Sequence, residues 1–235
     1  MNPVLNESPN WHIKTNDGQQ IVCIFGPSGT GKSFLAEYLQ KYCGYKIINQ
    51  ITTRQRRPDD KHYLYTNNKD FIKNLLSGNY VGYFDGDLKT FTGVGYGYDK
   101  DYLLNELKKY NKIIIFPSVY ELLEDDFANK YGSSIKIGIT FKDENCVEKR
   151  ARQAGKTFSV TEMNKRKLMV KTLSGIMENY LNTFKDKTFY LLYSDLFGNN
   201  ILESKKNQID KVLSILKINK TKEQAENIEN YIGGN

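Results

Sequence analysis

Apolar residues along the chain occur in short β-branched runs that alternate with segments of helical period. This alternation is typical of a parallel sheet whose two faces are covered by helices. The predicted strands are Ile21–Phe25, Tyr45–Ile51, Lys112–Phe116, Ser134–Phe141 and Thr188–Tyr193. The predicted helices are Ser33–Tyr42, Lys100–Tyr110, Tyr120–Lys130 and Thr161–Phe184. The pattern therefore predicts an α/β fold with a five-stranded parallel sheet flanked by helices.

Three segments depart from this rhythm. Residues 52–98 are rich in Tyr, Gly, Asn and Asp and contain one helical pattern, Lys69–Leu76, which indicates an inserted lobe of short strands and one helix. Residues 1–19 are polar and are expected to form a flexible leader, ahead of a domain at 20–201. Residues 202–235 have helical period and polar character, so we expect one C-terminal polar helix on the surface rather than a partner-binding element.

Composition limits the classes of partner. The 235 residues carry a net charge of +7, which suits an anionic partner such as a nucleotide or a nucleic acid without choosing between them. Three widely spaced cysteines form neither a disulfide framework nor a metal-site pattern. No apolar run approaches the length of a membrane span, and the N-terminal residues lack a secretory signal pattern. A reducing, cytoplasmic location is the expectation.

The most specific motif is a glycine-rich loop that follows the first predicted strand. Residues Gly26–Ser33 read GPSGTGKS and match the pattern GxxxxGK[ST] between a strand and a helix. In such loops backbone N–H groups and the helix N-terminus surround phosphate oxygens, the lysine reaches the β- and γ-phosphates, and the hydroxyl ligates Mg²⁺. The candidate ATP-binding residues are Gly26, Ser28, Gly29, Thr30, Gly31, Lys32, Ser33 and Phe34, with Ser33 as metal ligand. The loop predicts binding of a nucleoside triphosphate with Mg²⁺.

A second basic motif follows the second predicted strand. Residues Thr52–Pro58 read TTRQRRP, which places Arg54 and Arg57 beyond the carboxyl end of a parallel strand, where open α/β sheets bind ligands. Arginine forms bidentate pairs with phosphate oxygens. Alone the segment reads as a solvated basic turn, but after a phosphate-binding loop it is better explained as a clamp for one phosphoryl group.

Together these motifs resemble those of the guanylate kinase family of P-loop nucleoside monophosphate kinases. GPSGTGKS is similar to that family's P-loop nearly residue for residue, and TTRQRRP is similar to its TTRxxRP segment. Weaker similarities lie at His62–Tyr65, Asp70–Val81, Tyr96–Gly97, Lys149–Gly155 and Asn164–Arg166. The resemblance covers roughly residues 20–195.

The resemblance implies a P-loop kinase fold with an acceptor-binding lobe at about 52–98 and a small lid at about 146–160. The catalytic residues that it implies are Lys32, Arg54, Arg57, Arg150 and Arg166. The acceptor-binding residues that it implies are Gln50, Arg54, Arg57, Tyr63, Tyr83, Tyr96 and Tyr98. The family's second lid arginine falls on Ala154, and Arg152 is the nearby substitute.

The base-reading positions depart from the family pattern. The glutamate that accepts hydrogen bonds from guanine falls on Gly82, and two hydroxyl residues fall on Gln50 and Tyr98. The acids at the end of the family's third strand fall near Pro117 and Ser118. Because polar readers discriminate by being left unpaired with a wrong ligand, their loss predicts an altered base preference. Aromatic residues around Gly82 form either a stacking slot or simply the core of the lobe.

The leading interpretation is an ATP- and Mg²⁺-dependent kinase that transfers the γ-phosphoryl group to a nucleoside monophosphate. One alternative is a kinase that acts on a sugar phosphate or on a nucleic-acid end, which the pI of about 9.0 would suit. Another alternative is a non-catalytic guanylate kinase-like binding module, against which the intact P-loop argues. The expected partners are ATP and a phosphorylated small-molecule acceptor, with nucleic acid less favoured and no membrane.

Overall fold

The chain is described by a computed structural model that covers residues 4–5, 13, 17–57, 60–124, 127–153, 155, 157–196, 201–219 and 221–233. The fold divides into two compact units. We call Met1–Cys23 with Lys46–Ser134 the lobe unit, and Ile24–Tyr45 with Ile135–Asn235 the P-loop unit. Pro58 and Ala154, which were named from the sequence, lie outside the described residues, as does most of the predicted leader.

The strands and helices follow the alternation that the sequence predicts. The strands are β1 (Val4–Leu5), β2 (Gln20–Phe25), β3 (Lys46–Ile47), β4 (Gln50–Thr52), β5 (Tyr63–Tyr65), β6 (Tyr80–Asp87), β7 (Thr92–Asp99), β8 (Lys112–Ile115), β9 (Ile135–Thr140) and β10 (Phe189–Tyr193). The α-helices are α1 (Lys32–Cys43), α2 (Asn68–Leu76), α3 (Lys100–Lys109), α4 (Phe127–Tyr131), α5 (Cys146–Gln153), α6 (Val160–Phe184), α7 (Ile201–Ile215) and α8 (Lys222–Gly233). Short 3₁₀ turns occupy Val119–Leu123 and Ser194–Leu196.

Five strands form a sheet in the order β10-β9-β2-β8-β3. Strand β8 pairs in parallel with both β2 and β3, and β10 pairs in parallel with β9. Isoleucines 113, 114 and 115 of β8 are all buried, as expected for a parallel strand whose two faces are covered. The predicted α/β class with a five-stranded parallel sheet is confirmed.

Two predicted elements are wrong in detail. The run Tyr45–Ile51 is not one strand, because β3 joins the parallel sheet while β4 joins the sheet of the lobe unit. The predicted helix Tyr120–Lys130 is a 3₁₀ turn, stopped after Leu123, followed by the short helix α4. For the strands, the local pattern gives the correct type of element, and the pairing partner decides where each strand ends.

The lobe unit contains a second, mostly antiparallel sheet in the order β1-β6-β7-β4-β5. Strands β6 and β7 form a hairpin in which Tyr83 lies opposite Tyr96. One face is covered by α2, whose Phe71 and Leu75 pack with Phe84 and Ile51 in a buried cluster. Side-chain capping by Asn67, which accepts from the Asp70 N–H, starts α2. The insertion thus has a small core of its own.

The C-terminal segment differs from the solvated polar helix expected from its sequence. It forms two helices, α7 and α8, separated by a turn, rather than one. Their buried residues include Ile209, Val212, Leu213, Ile228, Tyr231 and Ile232. Tyr231 packs its ring against those of Phe34, Tyr38 and Tyr42 on α1. The tail is therefore part of the P-loop unit's core, although two of its polar residues, Ser204 and Gln208, are buried as well.

Other chemistry-bearing features are few in the described part of the chain. The three cysteines are free thiols, two of them buried. Within the described residues no group of three or more His, Cys, Asp or Glu side chains is arranged to hold a metal ion. None of the described helices combines the length and apolar character that a membrane span requires.

Candidate functional site

The glycine-rich loop joins β2 to α1 in the P-loop unit. Strand β2 ends at Phe25, and α1 begins at Lys32 after Gly31, whose φ of 98° is left-handed. The buried Thr30 hydroxyl donates to the Pro27 carbonyl across 3.0 Å and so holds the loop closed at its base. Ser28 and Gly29 are exposed at the tip. The loop thus leads directly into the N-terminus of α1, where unpaired backbone N–H groups and the helix dipole favour an anion.

Lys32 lies over this loop rather than extending into solvent. Its Nζ donates to the Pro27 carbonyl oxygen at 2.6 Å. Burial lowers the pKa of Lys32 to about 8. A carbonyl is a neutral partner, so the ammonium has a hydrogen bond here without a compensating negative charge. Phosphate oxygens would supply that charge.

Ser33 and Phe34 occupy the first turn of α1 but have different surroundings. Ser33 is exposed, and the first turn of the helix contains no acidic residue. Its hydroxyl fits the role of a single Mg²⁺ ligand, with the remaining ligands taken from substrate phosphates and water, as is usual for Mg²⁺. The Phe34 ring stacks on Tyr231 at 4.9 Å and lies under the Lys205 ammonium at 4.6 Å.

In the lobe unit, the segment after β4 is fastened to β7 before the clamp arginines begin. The Thr52 hydroxyl and the Thr53 N–H both donate to the Gly95 carbonyl, at 2.9 and 3.2 Å. The Gly95 N–H donates in turn to the Thr53 hydroxyl at 2.8 Å. The two threonines of the motif therefore fix the start of the turn that carries Arg54.

Arg54 is held by an acid that sequence reasoning missed. Its guanidinium forms an ion pair with Asp60 and stacks over the Tyr63 ring at 4.5 Å. Asp60 also accepts from the Tyr65 hydroxyl and from the Arg57 N–H. Burial opposes ionisation of Asp60, but these hydrogen bonds outweigh it and hold its pKa well below the usual range. The sequence signal was an acid six residues after Arg54, within reach of the same turn.

Arg57 is the exposed member of the pair. Its backbone N–H donates to Asp60 at 2.7 Å, while the residue itself is open to solvent. Asp60 thus joins the Arg54 guanidinium to the backbone of Arg57, and Tyr63 of β5 packs against the Arg54 guanidinium. One arginine is preorganised by its acid, and the other is free to turn toward a ligand.

The predicted aromatic residues line the hairpin. Tyr83 and Tyr96 stack across β6 and β7 at 5.7 Å, and the Tyr120 ring meets Tyr83 edge-on at 6.1 Å. Tyr83 and Tyr96 are half-buried, whereas Phe84 belongs to the lobe core and Phe91 is exposed on the hairpin. Of the aromatic residues around Gly82, therefore, only Tyr83 and Tyr96 form a stacked pair beside the clamp.

Four of the positions that depart from the guanylate kinase pattern lie in one pocket of the lobe unit. The pocket is lined by Gln50, Val81, Gly82, Tyr96, Gly97, Tyr98, Ile115, Phe116, Ser118, Glu121 and Tyr131. Gln50, Gly82, Tyr98 and Ser118 come from four different places in the sequence, and the fold brings them together. Positions that are far apart in the sequence therefore share one pocket.

Polar groups of this pocket are largely engaged with the protein itself. Gln50 donates to the Phe116 carbonyl at 2.9 Å, and the Tyr98 hydroxyl accepts from the Phe116 N–H at 2.7 Å. Gly82 has a φ of 150°, and a Cβ there would lie 2.2 Å from the Tyr96 carbonyl oxygen. Two of the predicted acceptor-binding residues thus hold the end of β8, and the backbone at Gly82 leaves no room for a side chain.

Glu121 is the acid in this pocket, and sequence reasoning missed it. It is buried, accepts from the Ser118 N–H at 2.8 Å and from the Tyr131 hydroxyl, and lies 3.4 Å from the Lys130 ammonium. Burial and the Glu121 carboxylate hold the pKa of Tyr131 well above its usual value. Its partners are three to ten residues away, so only the folded 3₁₀ turn and α4 reveal the cluster.

The lid arginines lie on α5 and α6 of the P-loop unit. Arg150 donates to the Ser204 hydroxyl at 2.6 Å and to the Ser194 carbonyl at 3.3 Å, and burial lowers its pKa. Arg166 pairs with Glu162 one turn away and stacks over Phe158 at 4.0 Å. Arg152, the suggested substitute, is exposed and pairs with Glu148. No described contact joins Arg150 to Arg166.

Two solved structures are similar to the chain in fold. A guanylate kinase from Anaplasma phagocytophilum is 14% identical, with a TM-score of 0.49, over 86% of this chain and 87% of that chain. A deoxyadenosine kinase from M. mycoides with bound dATP is 15% identical, with a TM-score of 0.44, over 83% and 98%. No family model matches the chain. No curated protein matches it either.

Proposed function

We propose that this protein is an ATP- and Mg²⁺-dependent phosphotransferase that moves the γ-phosphoryl group of ATP to the phosphate of a nucleoside monophosphate. The observation that carries the proposal is the Lys32 ammonium, which lies over a closed glycine loop with a neutral carbonyl as its hydrogen-bond partner. A cation in that position favours a polyphosphate and stabilises charge on the transferred group.

The acceptor phosphate is assigned to the arginine turn of the lobe unit. Arg54 is already oriented by Asp60 and Tyr63, so little side-chain entropy is lost when it meets a phosphate. Arg57 adds an exposed second guanidinium on the same turn. Phosphoryl transfer needs alignment of two phosphates and cations around them, and no covalent intermediate.

Mg²⁺ supplies charge neutralisation between the β- and γ-phosphates when it is bound. The Ser33 hydroxyl is the residue of this chain that would hold it. Arg150, half-buried near the end of β10, is proposed to add positive charge on the ATP side. Arg166 is assigned to the same group only through the family resemblance, because its present partner is Glu162.

The acceptor's base is proposed to be recognised by contacts other than those that read guanine in guanylate kinases. The guanine-reading glutamate has no counterpart at Gly82, and Gln50 and Tyr98 bond to the backbone of Phe116. Stacking on Tyr83 and Tyr96 and hydrogen bonding near Glu121 are the recognition that remains. Stacking tolerates several bases, so a broad acceptor range is expected.

An acceptor screen tests the proposal. Protein, Mg²⁺ and ATP are mixed with each ribo- and deoxyribonucleoside monophosphate, a ribose bisphosphate or a 5′-hydroxyl oligonucleotide, and ADP release is followed. Acceptor-dependent turnover with nucleoside monophosphates is expected, with kcat at least about 100-fold lower in Lys32→Met, since removing a group that stabilises transition-state charge costs roughly that much. The exposed Lys69→Met variant is the matched control. Turnover only with the sugar phosphate or the oligonucleotide would contradict the proposal. So would the absence of turnover with every acceptor.

A further inference from the structure

Gln208, in the middle of α7, has an unsatisfied amide in a buried place. The residue is 2% exposed. Its Nε2 has no hydrogen-bond partner among the described residues. A buried amide without a hydrogen-bond partner destabilises the folded protein, so each such group requires an explanation. A ligand with an acceptor atom is one such explanation.

The amide lies directly against the phosphate-binding loop. A Cβ built on Gly31 would stand 2.9 Å from Gln208 Oε1 and 3.5 Å from Nε2. Gly31 is the last loop residue before α1, and its left-handed φ of 98° already favours glycine. Because Gly31 has no side chain, the Gln208 carboxamide can lie against the start of α1.

Neighbouring positions on α7 are also directed to this region. The Ser204 hydroxyl, one turn before Gln208, accepts from Arg150 at 2.6 Å. Lys205 lies over the ring of Phe34, two residues into α1. Burial, and then the charge of Arg150, lower the pKa of Lys205. Arg150 and Lys205 repel each other, and the Gln208 amide has no acceptor. An anion bound at this end of the P-loop unit would stabilise all three groups.

We propose that α7 forms one wall of the nucleoside triphosphate site and that Gln208 donates a hydrogen bond through Nε2 to the phosphate chain. This inference rests on the proposed function, since it assumes that the glycine loop binds a polyphosphate. It adds a binding residue from the C-terminal helices, a part of the chain outside both recognised motifs.

The test measures binding of Mg²⁺–ATP and of tripolyphosphate to wild type and to Gln208→Met, which keeps the length of the side chain and removes the amide. A hydrogen bond to a charged oxygen is lost, so both ligands are expected to bind roughly tenfold more weakly. The melting temperature without ligand is expected to stay equal or to rise, because the unpaired amide is gone. Gln208→Leu serves as a second variant, and the exposed Ser214→Ala on the same helix is the control.

Each other outcome overturns a distinct statement. Equal or tighter binding by folded Gln208→Met or Gln208→Leu overturns the inference and leaves the proposed function standing. Weaker binding of ATP with unchanged binding of tripolyphosphate overturns the phosphate contact. If wild type binds neither ligand while it is folded, the proposed function fails, and the inference fails with it.

Discussion

The surroundings of the Lys32 side chain favour an incoming anion. It is half-buried over the loop and bonded to the Pro27 carbonyl, which carries no charge. Burial lowers its pKa to about 8, so the protein makes the ammonium more acidic than a free lysine. A bound phosphate reverses this, because opposite charge favours the protonated form.

Nucleotide binding is therefore expected to take up protons near pH 8. At that pH about half of the free molecules carry the Lys32 charge, so binding of ATP takes up about half a proton as the pKa rises. Affinity for ATP is expected to fall as the pH rises above 8, since protonation then costs more. Calorimetric titration at pH 8 in two buffers of different ionisation enthalpy measures the uptake directly.

Lys32→Met provides the control for this titration. That variant is expected to bind ATP weakly and without proton uptake at pH 8. Uptake of the same size in Lys32→Met would assign the proton to another group, and no uptake in wild type would mean that the lysine charge does not meet the phosphates.

Substitution of Arg54 is expected to affect binding of the acceptor much more than binding of ATP. Arg54→Ala is expected to raise the KM for the acceptor by roughly 10–100-fold, the cost of losing charge-assisted hydrogen bonds to a phosphate, and to change the KM for ATP less than about twofold. Steady-state kinetics with each substrate varied in turn measures both values. The control is Arg56→Ala, because Arg56 is an exposed arginine on the same turn whose guanidinium lies 5.7 Å from the centre of the Tyr65 ring. Equal losses for both substrates would contradict the assignment of the clamp.

At the scale of elements, the β6–β7 hairpin determines which residue can stand at position 82. Gly82 and Gly97 lie opposite each other in the hairpin. A side chain on Gly82 would meet the Tyr96 carbonyl at 2.2 Å and the Gly97 Cα at 2.5 Å. The strands approach too closely here for any larger residue, so the backbone itself requires glycine at position 82.

Gly82→Glu is therefore expected to destabilise the lobe without creating guanine selectivity. The clash lies with backbone atoms, and a φ of 150° disfavours any L side chain, so a loss of about 3 kcal/mol or more in the free energy of unfolding is expected. Urea denaturation measures this loss, with Thr92→Glu at an exposed position of β7 as control. A stable Gly82→Glu protein with a new preference for GMP would contradict this account of the hairpin.

The C-terminal helices are the second element-scale feature with a testable consequence. Tyr231 of α8 contacts three rings of α1, and its hydroxyl donates to the Phe34 carbonyl at 3.1 Å. Tyr231→Ala is expected to lower the free energy of unfolding by about 3 kcal/mol, a usual cost for a buried aromatic residue. Tyr231→Phe is expected to cost about 1 kcal/mol, that of one hydrogen bond. A change within about 0.5 kcal/mol for Tyr231→Ala is typical of a surface site and would contradict packing of the tail.

The sequence predicted those elements whose own pattern is strong. The sequence predicts a helix at Thr161–Phe184, and α6 spans Val160–Phe184. The agreement is close because the segment with helical period is long and its ends are capped by Ser159 and Lys185. The run Tyr45–Ile51 was read as one strand, since nothing local shows that β3 and β4 pair with different partners. Local pattern describes an element well, and long-range pairing decides which sheet it joins.

The same limit applies to the site. The P-loop and the arginine turn are contiguous motifs, so their residues could be named from the sequence alone. Asp60, Glu121 and Gln208 cannot be named in this way, because the contacts that single them out form only in the folded chain. Gln208 is the extreme case, since it meets Gly31 from a helix that the sequence suggests is a solvated surface element.

At the scale of the whole molecule, the two proposed substrates belong to different units. Lys32 and the glycine loop are in the P-loop unit, and Arg54 with its turn is in the lobe unit. Transfer requires the γ-phosphoryl group and the acceptor phosphate to be in line within one complex. We therefore expect turnover only when both substrates are bound together.

The most direct test follows the γ-phosphate of ATP with an isotopic label. ATP labelled in its γ-phosphate is incubated with Mg²⁺, the wild-type protein and the mixture of nucleoside monophosphates, and the labelled products are separated. With the wild-type protein we expect label in the β-position of a nucleoside diphosphate. With Lys32→Met we expect no labelled nucleoside diphosphate. With Arg54→Ala we expect it only at high acceptor concentration. Label found only in inorganic phosphate, or remaining in ATP, would contradict the claim that this protein is a nucleoside monophosphate kinase.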